Sequence, residues 1–444
     1  MKPYASYKPS GVAWLGDVPS HWASKRLKHI GQFRAGAGFP IEEQGQPDNS
    51  LPFFKVKDID GSNQGGVITT ADSTVSIETA NRLGAKIFPK NSIVFAKVGA
   101  ALLLNRFRLL GVDACVDNNM MGYMINADEA FPEFMYWAMQ RINFSEIVNP
   151  GTVPSLNEPL ISNLFMAIPP PDEQQAIADY LDAETARIDT LVQEKEELIG
   201  LLREARSNRI SELISGDGLP GSATGNPWAP HLPEGWQLKR LKHLAQVRSG
   251  LAKGKDTGSN TTVELPYLRV ANVQEGRLDL REISTMPVEV DAVERFSLME
   301  GDVLMNEGGD YDKVGRGAVW TGEISPCLHQ NHVFAVRPVQ RDLSEWISAI
   351  TQTQYAKFYF MNNAKQSTNL ASISQASVKE LPILLPPKEQ RDALLEKLGG
   401  ELAAFDALIT HTQEEIALLK ELRAATIADA VLGRVDVRSL TQKQ

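Results

Sequence analysis

The sequence predicts an α+β protein with two similar mixed α/β domains in tandem, each followed by a long helix. A duplication is the first reason, because residues 22–36 return as residues 236–250 at a shift of 214. The second reason is a Pro-Pro-x-Glu-Gln sequence that occurs as Pro170–Gln174 and again as Pro386–Gln390. Markers that keep their order over about half of a chain indicate a duplicated domain, since the unit of a solenoid is roughly 20 to 50 residues. Two similar domains suit a target that has two similar halves.

Length and composition are those of an ordinary globular protein. The chain has 444 residues, of which 43% are hydrophobic and 23% charged, and this length allows roughly two to four domains. No segment is apolar enough to span a bilayer, and residues 1–9 lack the apolar core of a signal peptide. We therefore expect a cytoplasmic protein. Two cysteines, Cys115 and Cys327, support neither a disulfide framework nor a zinc cage of several thiolates.

The negative charge is confined to two segments. The chain has a net charge of −10, of which 172–215 carries −6 and 388–432 carries −4. The remainder is electrically balanced, so the acidic pI does not belong to the globular domains. An acidic pI argues against nucleic-acid binding, but this objection mostly disappears when the charge lies elsewhere. Neutral domains still differ from the strongly basic surface of a free-standing DNA-binding protein.

The two acidic segments are predicted to be long helices. Each begins after a Pro-Pro, continues with apolar residues at three- and four-residue steps, and ends at a glycine, Gly216 or Gly433. Such stripes indicate a coiled-coil seam, although each helix could instead lie on its own domain. Lys195 and Arg209 fall on seam positions, and Gly399-Gly400 could kink the second helix. The predicted seam residues are Ile177, Leu181, Ile188, Leu191, Leu198, Leu202, Leu398, Leu402, Phe405, Leu408, Ile416 and Leu419.

Each domain is predicted to combine short strands with late helices. Apolar runs between turn residues, such as 92–96 and 302–305, favour strands, whereas 133–142 and 345–350 favour helices. The predicted organisation is a first domain at 1–170, the first long helix at 171–216, a Gly- and Pro-rich linker at 217–230, a second domain at 231–386, the second long helix at 387–433 and a tail at 434–444.

The known catalytic motifs are missing from the sequence. It contains no phosphate-binding P-loop, nucleophile elbow or zinc-binding His-Glu-x-x-His helix. It also lacks the Asp/Glu-x-Lys triplet of many nucleases and the Asn/Asp-Pro-Pro-Tyr/Phe motif of amino-methyltransferases. We therefore expect that the chain neither cuts nor methylates. Cys327, His329 and His332 are possible metal ligands, but no fourth ligand is evident nearby, so we expect no metal site.

Polar, amide-rich and basic stretches in both domains are candidates for nucleic-acid contact. Amide and guanidinium groups can pair with base edges, and a glycine-rich loop at 307–317 could approach a phosphodiester backbone closely. A plain surface loop would look similar, and the repeated Lys-Arg-Leu-Lys-His could be a structural strand or a phosphate clamp. The candidate DNA-contacting residues are Lys55, Lys57, Lys97, Asn105, Arg106, Arg108, Asn118, Asn119 and Thr152 in the first domain, and Lys253, Lys255, Arg269, Asn272, Asn306, Tyr311, Lys313, Arg316, His329, Gln330, Asn331, His332, Lys365, Gln366, Ser367 and Thr368 in the second.

The chain resembles the specificity subunit (S subunit, HsdS) of type I restriction-modification systems. The resemblance rests on 7–22, on each Pro-Pro-x-Glu-Gln before a long helix, and on 301–309 followed by 329–334. It implies two target-recognition domains that each read one half of a split DNA sequence. It also implies that the helices pair as an antiparallel coiled coil, act as a spacer and dock two methyltransferase (M) subunits, through which motor-nuclease (R) subunits join.

Several expectations follow from this resemblance. A helix of about 44 residues spans roughly 66 Å, close to two turns of B-DNA, so the target should be bipartite and, because the loops differ, asymmetric. No cofactor is expected in this subunit; S-adenosylmethionine, ATP and Mg would act through its partners. Neutral domains imply weak DNA binding by the isolated chain, with a shallow salt dependence. The alternative is a coiled-coil scaffold with two domains that bind protein or glycan.

Overall fold

The computed structural model describes residues 2–43, 50–59, 66–148, 153–252, 261–366 and 370–438, apart from the side chain of Asp312. The chain forms two compact units. The first unit comprises 1–196 and 414–444, and the second comprises 197–413. Each unit therefore contains one globular domain, part of one long helix and part of the other. Of the helices in the described ranges, none is both long and apolar enough to cross a membrane.

The two long helices run over Pro171–Ser215 and Lys388–Val431. Their ends lie within two residues of the positions that the prolines and glycines predict. The pair Gly399-Gly400 does not interrupt the second helix. Gly216 and Gly433 follow the helices with φ of +68° and +66°, a conformation that ends a helix and favours glycine.

The long helices pair antiparallel inside each unit. In the first unit, Lys195 contacts Glu415 and Arg423 contacts Asp189, so residue numbers rise along one helix as they fall along the other. In the second unit, Arg206 contacts Asp406 and Arg209 contacts Glu401, in the same sense. The predicted coiled coil is confirmed. Lys195 and Arg209 are tolerated on the seam because each forms an ion pair with a glutamate of the facing helix.

The predicted seam is wrong at two positions. Leu198 and Leu408 are 42% and 53% exposed, whereas Ile199 is only 7% exposed and Ile409 is partly buried. A seam that alternates steps of three and four residues passes through Ile199, so Leu198 lies about 100° away around the helix. The other predicted seam residues are buried or partly buried. Ile177 and Leu181 also belong to the core of the first unit and Leu398 to that of the second, so the start of each long helix also lies on its own domain.

The first unit is built around a five-stranded sheet. The strands are β1 (Tyr7–Pro9), β2 (Asp17–Pro19), β3 (Ala23–Arg26), β4 (Gly31–Ala35), β5 (Leu51–Phe54), β6 (Val67–Ile68), β7 (Thr74–Val75), β8 (Ile93–Ala96), β9 (Phe107–Leu110), β10 (Cys115–Val116), β11 (Met120–Ile125) and β12 (Phe165–Ile168); the helices are α1 (Leu27–Ile30), α2 (Ile77–Arg82), α3 (Ala100–Leu103), α4 (Pro132–Met139), α5 (Phe144–Ile147), α6 (Glu158–Ser162) and the first long helix, α7. The five-stranded sheet has the order β4-β11-β8-β9-β6, a second sheet has the order β10-β5-β7, and β1 pairs with β2 and β3 with β12. The helix α4 covers the five-stranded sheet and buries Trp137.

The second unit repeats this plan with changes at the edges. The strands are β13 (Gly221–Ala223), β14 (His231–Pro233), β15 (Gln237–Arg240), β16 (Ala245–Ser249), β17 (Thr262–Leu268), β18 (Ser284–Glu289), β19 (Val303–Asn306), β20 (Gly308–Gly309), β21 (Gly317–Val319), β22 (Leu328–His329), β23 (Val333–Pro338), β24 (Lys365–Gln366), β25 (Ala371–Ser372) and β26 (Pro382–Leu385); the helices are α8 (Val290–Phe296), α9 (Ser344–Thr351), α10 (Gln354–Asn363), α11 (Gln375–Lys379) and the second long helix, α12. The sheets have the orders β16-β23-β19-β21, β18-β17-β22 and β20-β25-β24, and β13 pairs with β14 and β15 with β26. The helix α9 buries Trp346 against the first of these sheets.

The repeated Lys-Arg-Leu-Lys-His begins on a strand, β3 or β15, that pairs with the last strand of its domain. Strand β3 pairs with β12 and strand β15 pairs with β26. Strands β12 and β26 come just before the long helices α7 and α12. The basic side chains form ion pairs within their own unit, Lys25 with Glu129 in the first and Lys242 with Glu380 in the second. Of the two open alternatives, these contacts favour the structural strand over the phosphate clamp.

A tryptophan anchors the start of each long helix to its domain. In the first unit, the Trp22 indole donates to the buried carboxylate of Glu173, which also accepts from Tyr4 and contacts His21 and Arg438. The predicted tail therefore packs on the first unit as far as Arg438. In the second unit, Trp236 donates to the neutral amide of Gln390 instead. The predicted linker also holds structure, since β13 pairs with β14.

Candidate nucleic-acid interface

In the first unit, three chain segments end together at one edge of the domain. Strand β5 pairs in parallel with β10, and the amide of Asp117 donates to the carbonyl of Phe54, next to Lys55. The amide of Lys97 donates to the carbonyl of Asn119, at 2.8 Å. We call Lys55, Lys97 and Asp117–Asn119 the first reading edge. It combines ammonium, carboxylate and amide groups on backbone that the strands hold in place.

The second unit builds the same edge with different side chains. Strand β17 pairs in parallel with β22, and the amide of Gln330 donates to the carbonyl of Leu268, next to Arg269. The amide of Glu307 donates to the carbonyl of His332, at 2.9 Å. We call Arg269, Glu307 and Gln330–His332 the second reading edge. Lys55, Lys97 and Asn119 thus correspond in place to Arg269, Glu307 and His332.

A glycine lets a third segment approach each edge. A Cβ added to Gly36 would lie 2.1 Å from the carbonyl oxygen of Asp117, and one added to Gly250 would lie 2.1 Å from that of His329. Real Cβ atoms do not come that close to a backbone oxygen. The glycine at the end of the repeated sequence therefore has the same function in both units, which is to admit close backbone packing under the reading edge.

Four residues that the sequence predicts to contact DNA form hydrogen bonds within their own unit. Asn272 is buried, accepts from the amide of Arg269 and donates to two carbonyls. Asn306 is buried and donates to Val273, and His329 is buried with Nδ1 against the carbonyl of Val333. Asn105 accepts from the amide of Phe144. Burial and these internal hydrogen bonds argue against DNA contact by Asn272, Asn306 and His329, whereas DNA contact by the half-buried Asn105 stays a prediction.

The other candidates within the described residues are exposed or partly buried. In the second unit, Tyr311 is 40% exposed and its hydroxyl donates to the carbonyl of Met361, while Lys313 pairs with Asp310. Lys365 and Gln366 are exposed on β24. In the first unit, Lys57 pairs with Asp72, and the hydrogen bond between them raises the pKa of Lys57. Arg106, Arg108 and Arg316 are partly buried; Thr152, Lys253, Lys255, Ser367 and Thr368 lie outside the described residues.

The three possible metal ligands do not form a site. Burial raises the pKa of the Cys327 thiol to about 12, and its sulfur donates to the carbonyl of Leu328. His329 faces Val333, whereas the exposed His332 contacts Glu307. Across the described ranges, no group of three or more His, Cys, Asp or Glu side chains could hold a metal ion.

Sequence reasoning missed Glu307 and Asp117 as members of the reading edges. The repeat could have indicated Glu307, because β8 and β19 are equivalent and Lys97 and Glu307 each follow one of them directly. The shift between these strands is 210 residues rather than 214, since the loops before them differ in length. A search at the constant shift therefore does not align the two positions.

The sequence profile of the type I restriction modification DNA specificity domain matches this chain twice, over residues 19–199 and 233–421. The specificity subunit of the type I restriction enzyme EcoKI from Escherichia coli strain K12 is 21% identical over 437 residues, which cover 95% of this chain and 90% of that protein. The MjaIX specificity subunit from Methanocaldococcus jannaschii is 19% identical, covering 96% of each.

Two solved structures share the fold. A chain from a study of complex assembly and conformational transition of the type I R-M system has a TM-score of 0.64, with 18% identity over 94% of this chain and 99% of that one. The HsdS subunit from Thermoanaerobacter tengcongensis has a TM-score of 0.53, with 18% identity over 94% and 98%. These two structures show the fold. The two profile matches cover most of the sequence and favour DNA recognition over the scaffold alternative. This chain therefore belongs to the family of type I restriction-modification DNA specificity subunits and carries the specificity domain in two tandem copies.

Proposed function

We propose that this chain is the sequence-reading subunit of a type I restriction-modification complex, with each unit reading one half of a bipartite, asymmetric DNA target. The observation that carries the proposal is the pair of reading edges. Their backbones are held by equivalent hydrogen bonds, but their side chains differ, with Lys97 and Asn119 in one unit and Glu307 and His332 in the other. Equal scaffolds with unequal polar side chains are what two different half-sites require.

The subunit itself is proposed to be non-catalytic. Its sequence lacks the nuclease, methyltransferase and nucleotide-binding motifs, so chemistry would come from two methyltransferase subunits and from motor-nuclease subunits that join through them. S-adenosylmethionine, ATP and Mg would be used by those partners. Co-expression with a cognate methyltransferase subunit tests this role directly, since the two should co-purify, and failure to associate would contradict it.

The decisive experiment exchanges one reading unit. Replacing residues 37–163 with the matching segment of a relative should change one half of the methylated sequence and leave the other half intact. The matched exchange in the second unit, residues 251–379, should change only the other half. Genome-wide methylation mapping reads both outcomes. If either exchange altered both halves, one unit would not correspond to one half-site.

The paired helices are proposed to set the unread gap and to dock the methyltransferase subunits. Inserting seven residues after Glu196 and seven after Gln413 keeps the apolar seam in phase and adds about 10 Å to each helix. The gap should lengthen by up to roughly three base pairs at 3.4 Å per pair. An unchanged gap in the methylation map would show that the helices do not measure the target.

The isolated chain is expected to bind DNA with only a weak electrostatic contribution. Outside the two acidic segments the charges balance, so few phosphates can be neutralised by this subunit alone. Because each neutralised phosphate steepens the salt dependence of binding, the purified subunit should show a shallow slope and the assembled complex a steep one. Titration at several salt concentrations measures both; a steep slope for the subunit alone would contradict the expectation.

A further inference from the structure

Lys97 and Glu307 occupy the same backbone position in the two units but carry opposite charges. Each directly follows an inner strand of the largest sheet in its unit, β8 or β19. The carbonyl of Lys97 accepts from the amide of Leu156, and the carbonyl of Glu307 accepts from the amide of Ile373, at 2.9 and 2.8 Å. The backbone amides of Lys97 and Glu307 also donate hydrogen bonds, to the carbonyls of Asn119 and His332. Both residues are thus fixed by two equivalent backbone hydrogen bonds.

Both side chains remain available to a ligand. The Lys97 side chain is partly buried, and within the described ranges its ammonium forms no ion pair. The Glu307 carboxylate accepts from His332 Nδ1 through Oε2, at 3.0 Å, and within the same ranges Oε1 accepts no hydrogen bond. His332 is itself exposed, so it orients the carboxylate without covering it.

The two charges have opposite hydrogen-bonding capacities. An ammonium only donates, and in the major groove the paired acceptors O6 and N7 belong to guanine. A carboxylate only accepts, and the cytosine amino group N4 is the donor with which it pairs. Building on the proposed function, we propose that Lys97 and Glu307 set opposite base preferences at corresponding positions of the two half-sites, guanine for Lys97 and cytosine for Glu307.

The acidic residue supports base reading over backbone contact. A carboxylate is repelled by the phosphates that surround every groove. If the reading edges face DNA, as proposed above, a carboxylate there is unfavourable unless it meets a donor on a base. Lys97 alone could bind a phosphate instead. The equivalent position of Glu307 argues that the end of this strand reaches base edges in both units.

Charge reversal in the assembled complex tests this assignment. In Lys97→Glu, the contacted base in the first half-site should change from guanine, with the original sequence disfavoured by about tenfold or more, while the second half-site stays the same. In Glu307→Lys, the second half-site should lose its cytosine preference and the first should be unaffected. Methylation of a randomised DNA library by the purified complex measures both preferences.

Two variants control for charge alone. Lys90 lies just before β8 and Glu300 just before β19, at the opposite ends of the strands that precede Lys97 and Glu307, and both are exposed. Lys90→Glu and Glu300→Lys make the same charge changes and should leave every base preference intact. If they shifted the preferences as strongly as the edge variants, long-range charge rather than base contact would be responsible.

The outcomes separate this proposal from the proposed function. If Lys97→Glu only weakened methylation of all sequences equally, Lys97 would be a phosphate contact and the inference would be overturned, although the unit exchanges could still change half-sites. Lys97→Met and Glu307→Gln decide the case if a charge-reversed complex does not assemble. Each should relax the choice at one base of one half-site, and an unchanged preference would also overturn the inference.

Discussion

The two units use one backbone design to support two different surfaces. At both reading edges, a parallel strand pair, a close-packed glycine and a central strand are joined by equivalent hydrogen bonds between backbone atoms. None of these bonds depends on the side chains at the strand ends. Lysine can therefore stand where the other unit has glutamate, and asparagine where it has histidine, at little cost to the fold. The comparison teaches that the choice of side chain at these positions is separated from the stability of the fold.

The tryptophan anchors differ more than the edges. Glu173 joins four side chains of the first unit, including Arg438 near the end of the described chain, whereas Gln390 gives the second unit a neutral anchor. The first anchor thus holds the amino-terminal and carboxyl-terminal segments together through one buried carboxylate. The second has no such requirement, because its chain continues into the domain from the preceding helix.

Removing the charged anchor should have the largest effect. Glu173→Ala leaves the buried Trp22 indole and the Tyr4 hydroxyl without an acceptor, which we expect to destabilise the first unit by roughly 2–5 kcal/mol. Gln390→Ala removes one neutral hydrogen bond and should cost the second unit about 1 kcal/mol. Hydrogen exchange resolved by unit measures both losses. Equal losses would show that the carboxylate adds nothing beyond the shared tryptophan contact.

The corrected seam gives a second, sharper contrast between neighbours. Ile199→Ala opens a cavity between the paired helices and should cost roughly 2–4 kcal/mol, whereas Leu198→Ala removes an exposed side chain and should cost less than about 1 kcal/mol. Denaturant unfolding of the purified chain checks the ranking. A larger loss of unfolding free energy in Leu198→Ala than in Ile199→Ala would support the seam that the sequence alone predicts.

Sequence pattern predicts the architecture better than it predicts the site. Duplication and the Pro-Pro starts give two domains and two helices whose ends fall within two residues of those observed. Leu198 fails because a broad apolar stripe does not fix which neighbour faces the partner helix. Asn272 and His329 fail for another reason, since an amide or imidazole looks the same in sequence whether it reads a base or holds a turn. Only burial and hydrogen-bond partners separate these roles.

The close-packed glycines should respond alike, which tests the shared design. Gly36→Ala and Gly250→Ala each force a Cβ against a carbonyl oxygen, and each should destabilise its own unit by about 1–3 kcal/mol. Gly38→Ala is the matched control, since its nearest contact would be an ordinary 3.7 Å to the Asn118 amide. Hydrogen exchange should show the loss in one unit at a time. A large effect of Gly36→Ala with none of Gly250→Ala would break the equivalence.

The smallest predicted difference is in the response of the two units to acid. His329 lies where the first unit has the buried Val116, since both residues end the short strand of the parallel pair. Burial lowers the pKa of the His329 imidazole; the Val333 carbonyl and Asp302 oppose this shift, and Arg248 and Arg337 reinforce it. The folded unit therefore binds this proton less readily than the unfolded chain, whose histidine has a pKa near 6.5.

The sign of the effect follows from that order of pKa values. Below about pH 6.5 the unfolded chain gains a proton that the folded unit does not, so stability falls by up to about 1.4 kcal/mol per pH unit until the folded pKa is reached. Hydrogen exchange at pH 7.5 and 5.5, corrected for intrinsic rates, should show this loss in the second unit. His329→Val gives the second unit the residue of the first and should remove that part of the slope, because valine has no proton to bind. If the variant kept the whole slope, other groups would account for the acid sensitivity, and the two units would differ here in packing alone.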